Sequence, residues 1–281
     1  MKRLLGMLQV AMMATTLSAQ TILMGDTNGD DQLTISDVTS TVNMVLGKSP
    51  ALNVDLSGMA YRVDNSGVQA TCQVTVSDPD SHEYVDLGLP SGTLWATCNI
   101  GADSPEDYGD YFAWGETTGY NSGKTNFAWS TYKYCNGSPS TLTKYCTSSS
   151  FGTVDNKAEL ELSDDAAYVN WGSNWRMPSD AQFTELINSS YTTTTWTTQN
   201  GKYGRKITSK SNGNSIFLPA AGYRNDTSLY RAGSYGNYWS RTLYTSGPNY
   251  AHYLFFISSN IHTGNGSRYY GRSVRPVRAS Q

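Results

Sequence analysis

Gly236–Arg278 reads GNYWSRTLYTSGPNYAHYLFFISSNIHTGNGSRYYGRSVRPVR, and two kinds of position alternate in it. Tyr238, Trp239, Leu254, Phe256 and Gly271 look like fixed anchors, with Trp239 and Phe256 belonging to a core. Ser273-Val274-Arg275-Pro276-Val277 reads as a closing strand, its Pro confined to an edge because it cannot donate to a ladder. Between the anchors, Tyr, Ser, Gly and Asn fill 18 of the 34 positions from Asn237 to Tyr270. Tyr supplies rigid amphipathic contact area, and Ser, Gly and Asn supply adaptable hydrogen bonds, a composition typical of binding surfaces. From Arg241 to Tyr270 there is no Lys, Glu, Gln, Met or Trp, although all five occur elsewhere in the chain. The expectation is a variable ligand-binding face on a fixed scaffold.

Working outward, local signals alternate between helix and strand. Ser179-Asp180-Ala181-Gln182 is a capping box that opens a short helix through Asn188. Ser163-Asp164-Asp165 starts a helical turn over Ala166–Val169. Asn200-Gly201, between TWTTQ and KYGRKIT, is a type I′ hairpin signal. Ser215-Ile216-Phe217-Leu218-Pro219 reads as a buried strand. The resulting fold class is α+β, rich in loops, and loops on rigid scaffolds are where binding resides.

The chain has 281 residues, 15% of them charged, enough for one sizeable domain and a small one. After Glu185 the only acid is Asp226, against eleven Lys and Arg. These cations are scattered, with no basic run or basic helix, so nucleic acid is excluded as a partner. Lys2 and Arg3, the apolar Leu4–Leu17, and Leu17-Ser18-Ala19 before Gln20 read as a signal peptide over residues 1–19. It is too short to span a bilayer, and no later stretch is apolar enough to do so. The expected location is secreted or cell surface. Export permits disulfides among Cys72, Cys98, Cys135 and Cys146. Cys135 and Cys146, in the related phrases YKYC and TKYC, could close a loop, but the four allow three full pairings, and structural thiols or one disulfide is the reading.

Residues 20–76 read as a small helical module. Asp26, Asn28, Asp30, Gln32, Thr34 and Asp37 occupy positions 1, 3, 5, 7, 9 and 12 of a twelve-residue loop. Hard cations take six to eight oxygens, so this alternation predicts a structural calcium ion (Ca2+). Ile35, Val38, Val42, Val45 and Leu46 then line one face of a helix stopped by Gly47. The loop resembles a dockerin repeat, with Asp31 where Gly is usual at position 6. Asn53–Asp64 looks like its second repeat in decayed form, with weak or no calcium. The resemblance implies a scaffold partner, made doubtful by the degenerate repeat, or a role as spacer or anchor.

A polar linker, 77–81, leads into EYVDLGLPSGTLWATCNIGADSPEDYGDYFAWGET at Glu83–Thr117. With VDNKAELELSDDAA, NWRMPSDAQFTELI, GNSIFLPAAGYR and GRSVRPVR, it resembles the Fibrobacter succinogenes major paralogous domain over residues 82–278. That resemblance implies a C-type-lectin-like fold. The final block is similar to the variable proteins of diversity-generating retroelements. Those systems rewrite adenines in AAC-type codons, which cannot yield the five missing residue types. By this resemblance the contact residues are Arg241, Thr242, Tyr244, Ser246, Asn249, Tyr250, His252, Tyr253, Phe255, Asn260, His262, Asn265, Tyr269, Tyr270 and Arg272.

Chemistry fits the chain less well. A glycosidase needs two carboxylates facing a sugar, and residues 237–270 hold none. His252 and His262 fall in the variable-looking stretch, a poor place for an obligatory base. Formylglycine-generating enzymes, related in architecture, need a late Cys pair, and no Cys follows Cys146. The expectation is a non-catalytic receptor or adhesin binding a protein ligand. The alternatives are a glycan-binding module and a dockerin-borne component of polysaccharide degradation.

Overall fold

The computed structural model describes residues 82–278, together with the backbone of four short upstream strands at 54–55, 62–64, 67–69 and 75–76. The chain forms two compact units, Met1–Ser81 and His82–Gln281. In the first, β1 (Val54–Asp55) pairs antiparallel with β4 (Thr75–Val76), and β2 (Arg62–Asp64) with β3 (Gly67–Gln69). Val54 lies opposite Val76, and Val63 opposite Val68. β-Branched residue types favour extended backbone. The segment 53–64, read from sequence as a decayed calcium repeat, therefore carries strands. The first loop, Asp26–Asp37, and its helix lie outside the described residues.

The second unit begins with β5 (Tyr84–Asp86) and β6 (Leu94–Ala96), followed by a long irregular segment with 3-10 turns at Trp129–Thr131 and Leu162–Asp164. Two short α-helices follow, α1 (Ala166–Trp171) and α2 (Asp180–Leu186). The remainder is strand: β7 (Thr192–Gln199), β8 (Lys202–Ser209), β9 (Ser215–Pro219), β10 (Tyr223–Asn225), β11 (Ser228–Tyr230), β12 (Gly236–Leu243), β13 (Tyr250–Phe256), β14 (Ile261–Ser267) and β15 (Val277–Arg278). Sheets β15-β6-β5, β7-β8-β9, β10-β11 and β12-β13-β14 are all antiparallel.

This corrects the expected α+β, C-type-lectin-like fold with a helical dockerin-like module. The regular structure among the described residues is mostly β, with two α-helices of six and seven residues. The physical reason lies in the sequence. Helix forms only where a cap nucleates it: Asp165 accepts from the Ala167 and Tyr168 amides, and Ser179 makes the reciprocal box with Gln182. Elsewhere β-branched runs such as TTTTWTTQ in β7 favour extended backbone. Asn200 and Gly201 both take left-handed angles, φ 44° and 79°, as a type I′ turn requires.

The β12-β13-β14 sheet lies between two apolar cores. Successive strand residues point to opposite faces, so Trp239, Leu243 and Ala251 join Phe112, Trp114, Phe127, Tyr145 and Trp175. Tyr238, Leu254 and Phe256 join Trp95, Phe183, Leu186, Ile207 and Leu218. The polar tips find partners: Trp114 Nε1 donates to Ser240 O (2.8 Å), Trp239 Nε1 to Phe112 O (2.9 Å) and the Tyr238 hydroxyl to Pro219 O (2.6 Å). The unit's end closes on its beginning. Val277 pairs with Trp95, and buried Arg275 donates to Asn99 Oδ1 (2.8 Å) and Thr97 O (2.7 Å).

Of the readings left open for Cys135 and Cys146, the structure has the thiols: both are free, as is Cys98. Cys135 Sγ donates to Trp129 O and Cys146 Sγ to Ser148 O, each at 3.1 Å, so each sulfur is held in its own turn.

Asp165 ties α1 to the segment before α2. Fully buried, it accepts from Ala167 N (2.9 Å), Tyr168 N (3.1 Å), Met177 N (3.0 Å) and Arg176 Nε (2.8 Å). Asp165→Ala removes a cap and a charge partner together, and we expect a loss of about 3 kcal/mol in urea unfolding. A loss below about 1 kcal/mol, the size of an ordinary cap, would show that the carboxylate does no more than cap α1.

Candidate ligand-binding face

Residues directly opposite across a ladder share a face, and this divides the sequence-predicted positions into two groups. Tyr253 and Phe255 lie opposite Gly264 and His262 on one face. Tyr250 and His252 lie opposite Ser267 and Asn265 on the other.

The first face carries a tract of aromatic rings, none of them buried. Phe255 meets His262 (5.2 Å between centroids), Tyr235 (5.4 Å) and Tyr253 (6.4 Å). The Arg272 guanidinium stands 3.4 Å over Tyr253 and 5.8 Å from Tyr270. From Tyr270 the tract continues to Tyr269 (4.4 Å) and Trp129 (5.1 Å), and to Tyr223 (5.4 Å) and Tyr230 (5.7 Å). Four members escaped the sequence reading: Trp129, Tyr223, Tyr230 and Tyr235 lie outside the C-terminal segment. The hairpin β10–β11, which sets Tyr223 opposite Tyr230, brings two of them in.

Arg272 is placed differently from the expectation. It is not a surface contact but a buried cation, 5% exposed, also lying 4.2 Å over the Trp239 ring. Burial pushes its guanidinium down to about 10, so it remains charged at neutral pH. Nε and Nη1 have no hydrogen-bond acceptor among the described residues, and the ring faces are what offset the desolvation. A methyl group on Gly266 would collide with this guanidinium, so glycine there leaves it room.

The second group is largely engaged in structure. Arg241 donates to Met177 O (2.9 Å), Gln182 Oε1 (3.1 Å) and Glu159 Oε2 (3.2 Å). Thr242 Oγ1 accepts from Asp180 N at the start of α2 (3.2 Å). His252 stands 3.4 Å from Asp180 Oδ1 and packs on Tyr244 (5.5 Å). Ser246 is exposed in the turn between β12 and β13, and Asn249 O there accepts from Arg268 N (3.2 Å). Asn260, in the β13–β14 turn, bonds His262 Nδ1 (3.3 Å).

Two further features stand apart from the aromatic tract. A cavity of about 190 Å3 is lined by Val85, Thr97, Pro105, Gln199, Lys206 and Ser215–Phe217, and holds none of the predicted contact residues. Buried Asp164 accepts from Lys144 Nζ (2.5 Å) and the Tyr145 hydroxyl (2.6 Å), and Lys144 also pairs with Glu161 (2.5 Å). Among the described residues, no group of three or more His, Cys, Asp and Glu is arranged to hold a metal. The predicted calcium ligands Asp26, Asn28, Asp30, Gln32 and Asp37 lie outside those residues. No helix among the described residues is long and apolar enough to cross a membrane.

A family model described as a domain of unknown function (DUF8237) matches residues 193–277, from β7 into β15 and including every strand of the aromatic face. Neither the curated proteins nor the solved structures give a match.

The Asp164 cluster makes a pH-dependent prediction. Burial alone would raise this carboxyl, but donation from Lys144 and Tyr145 outweighs it and holds the group at about 2. The folded value is thus below the unfolded one, about 3.9. Its stabilisation is complete above that value and is lost as pH falls from about 4 towards 2. Asp164→Asn should therefore lower the melting temperature at pH 7 and narrow its deficit against the parent below pH 4. A deficit constant from pH 7 to pH 2 would refute the assignment.

Proposed function

We propose that this chain is an exported, non-catalytic receptor- or adhesin-type protein that binds a ligand on the aromatic face of β13 and β14. The observation that carries the reading is the tract from Trp129 to His262: nine rings in two contacting groups bridged by the Arg272 guanidinium, all left partly or fully open to solvent. Large rigid aromatics give contact area at low entropic cost and dominate binding energy at interfaces. The bases of the tract, Trp239 and Arg272, are buried, whereas its tips are not. That arrangement permits diversification at exposed His262 and at the open edge of Phe255, whereas Tyr253 also covers the buried Arg272 guanidinium and is the more constrained position. A calcium ion at Asp26–Asp37 and an export signal at residues 1–19 complete the reading for the N-terminal unit.

A glycan ligand is the second reading. It is favoured by the near-parallel Tyr223–Tyr230 pair, 22° between ring planes with Tyr230 43% exposed, a platform on which a sugar ring can lie.

Deep sequencing of the gene across a population of the producing cells tests diversification. We expect substitutions to gather at the exposed positions of Arg241–Tyr270 and to trace to template adenines, with Tyr238, Trp239, Leu254 and Phe256 unchanged. An invariant segment would leave a fixed-specificity module and turn attention to glycan arrays.

A further inference from the structure

The charge around the tract leans positive, with three arginines against one acid. Arg231 is exposed, holds a left-handed φ of 59° and lies 5.5 Å over the Tyr235 ring. Arg272 sits beneath Tyr253, and Arg224 lies 3.1 Å over Tyr120, behind β10. Burial, the largest influence, raises the Tyr223 hydroxyl, while Arg231 and Arg272 both pull it down, so both guanidinium groups act at the tract. Lys124, over Phe127, is matched by Glu116 at 2.6 Å. Against these stands Asp226, the one acid in residues 186–278, exposed and close enough to raise the Tyr269 hydroxyl after burial and Tyr270.

We propose that the tract docks an acidic segment of a protein partner, with a carboxylate on Arg231 and apolar side chains on Tyr223, Tyr230, Tyr235 and Phe255. This rests on the reading that the aromatic face is the binding face. Complementary charge steers such encounters and sets partner choice more than raw affinity. A protein fits better than a sulfated glycan for a geometric reason. Polyanionic chains need several accessible cations in register, whereas Arg272 and Arg224 are held under rings and Arg231 alone is exposed on the tract. The rings come from five separate segments, which suits a broad partner surface.

The experiment uses the full chain, immobilised and panned with displayed random peptides, with heparin as the anionic-glycan arm. We expect enriched peptides that combine Asp or Glu with apolar residues, and binding that weakens as salt rises from about 50 mM to about 500 mM. Arg231→Glu should weaken them roughly tenfold, Arg231→Gln less. Reversing one peptide acid to Lys should restore binding to the Arg231→Glu protein, a rescue that a folding defect would not give. No acid excess, no effect of Arg231→Glu, or binding of heparin without peptide enrichment would overturn the proposal. Phe255→Ala and Tyr230→Ala separate the two levels. If they abolish binding and Arg231→Glu does not, only the charge inference falls; if none matters, the face itself is misplaced.

Discussion

Burial of the β12–β13 hairpin on both faces is the constraint on which the second unit depends. Tyr238 and Trp239 are adjacent, point to opposite sides and are both fully buried, one in each core. A one-residue slip would exchange every side chain between the two cores, and Trp does not fit a space built for Tyr stacked on Phe256. The register is therefore fixed by shape as well as by the ladder. On β13 the alternate residues Tyr253 and Phe255 leave the packing while Leu254 and Phe256 stay buried, and the proposed binding face lies there with β14.

Three arginines in the last block hold this arrangement from outside the sheet. Arg268, fully buried, donates to the Tyr132 hydroxyl (2.8 Å), Pro248 O (2.9 Å) and the carbonyls of Tyr145 and Lys144 (3.0 Å each). Arg275 does the same for the 96–99 segment. Arg272 has rings where the others have carbonyls. A buried guanidinium is costly unless its donors are met, so these contacts join loops distant in sequence to the C-terminal strand. Arg was read from sequence as a surface contact at 272 because a single chain does not reveal which carbonyls and rings will surround it.

What was legible follows the same division. The Ser179 cap, the Asn200-Gly201 turn and the strand Ser215–Pro219 depend on neighbours within a few residues, and their chemistry is written locally. The core roles of Trp239 and Phe256 followed from size and apolarity. The fold class did not follow. Two capped helices suggested more helix than the β-branched and Tyr-rich segments allow, and 54–55 and 62–64 pair as strands instead of repeating a helical module. Half of the aromatic tract was also illegible: Trp129 meets Tyr269, and Tyr235 meets Phe255, only because non-local pairing brings them together.

Scaffold and face thus use different residues and different physics. Residues in the cores touch many partners, and changing their volume costs roughly 1–3 kcal/mol even when the new side chain is apolar. Phe255 and His262 have one edge on the sheet and the other in solvent, where substitutions usually stay within about 0.5 kcal/mol, whereas Tyr253 also covers the buried Arg272 guanidinium. A surface of this kind tolerates many sequences while its backbone stays in place, because the register is held by the two buried cores and the three arginines behind it. Variation confined to ring tips would then change what is bound without changing what is folded.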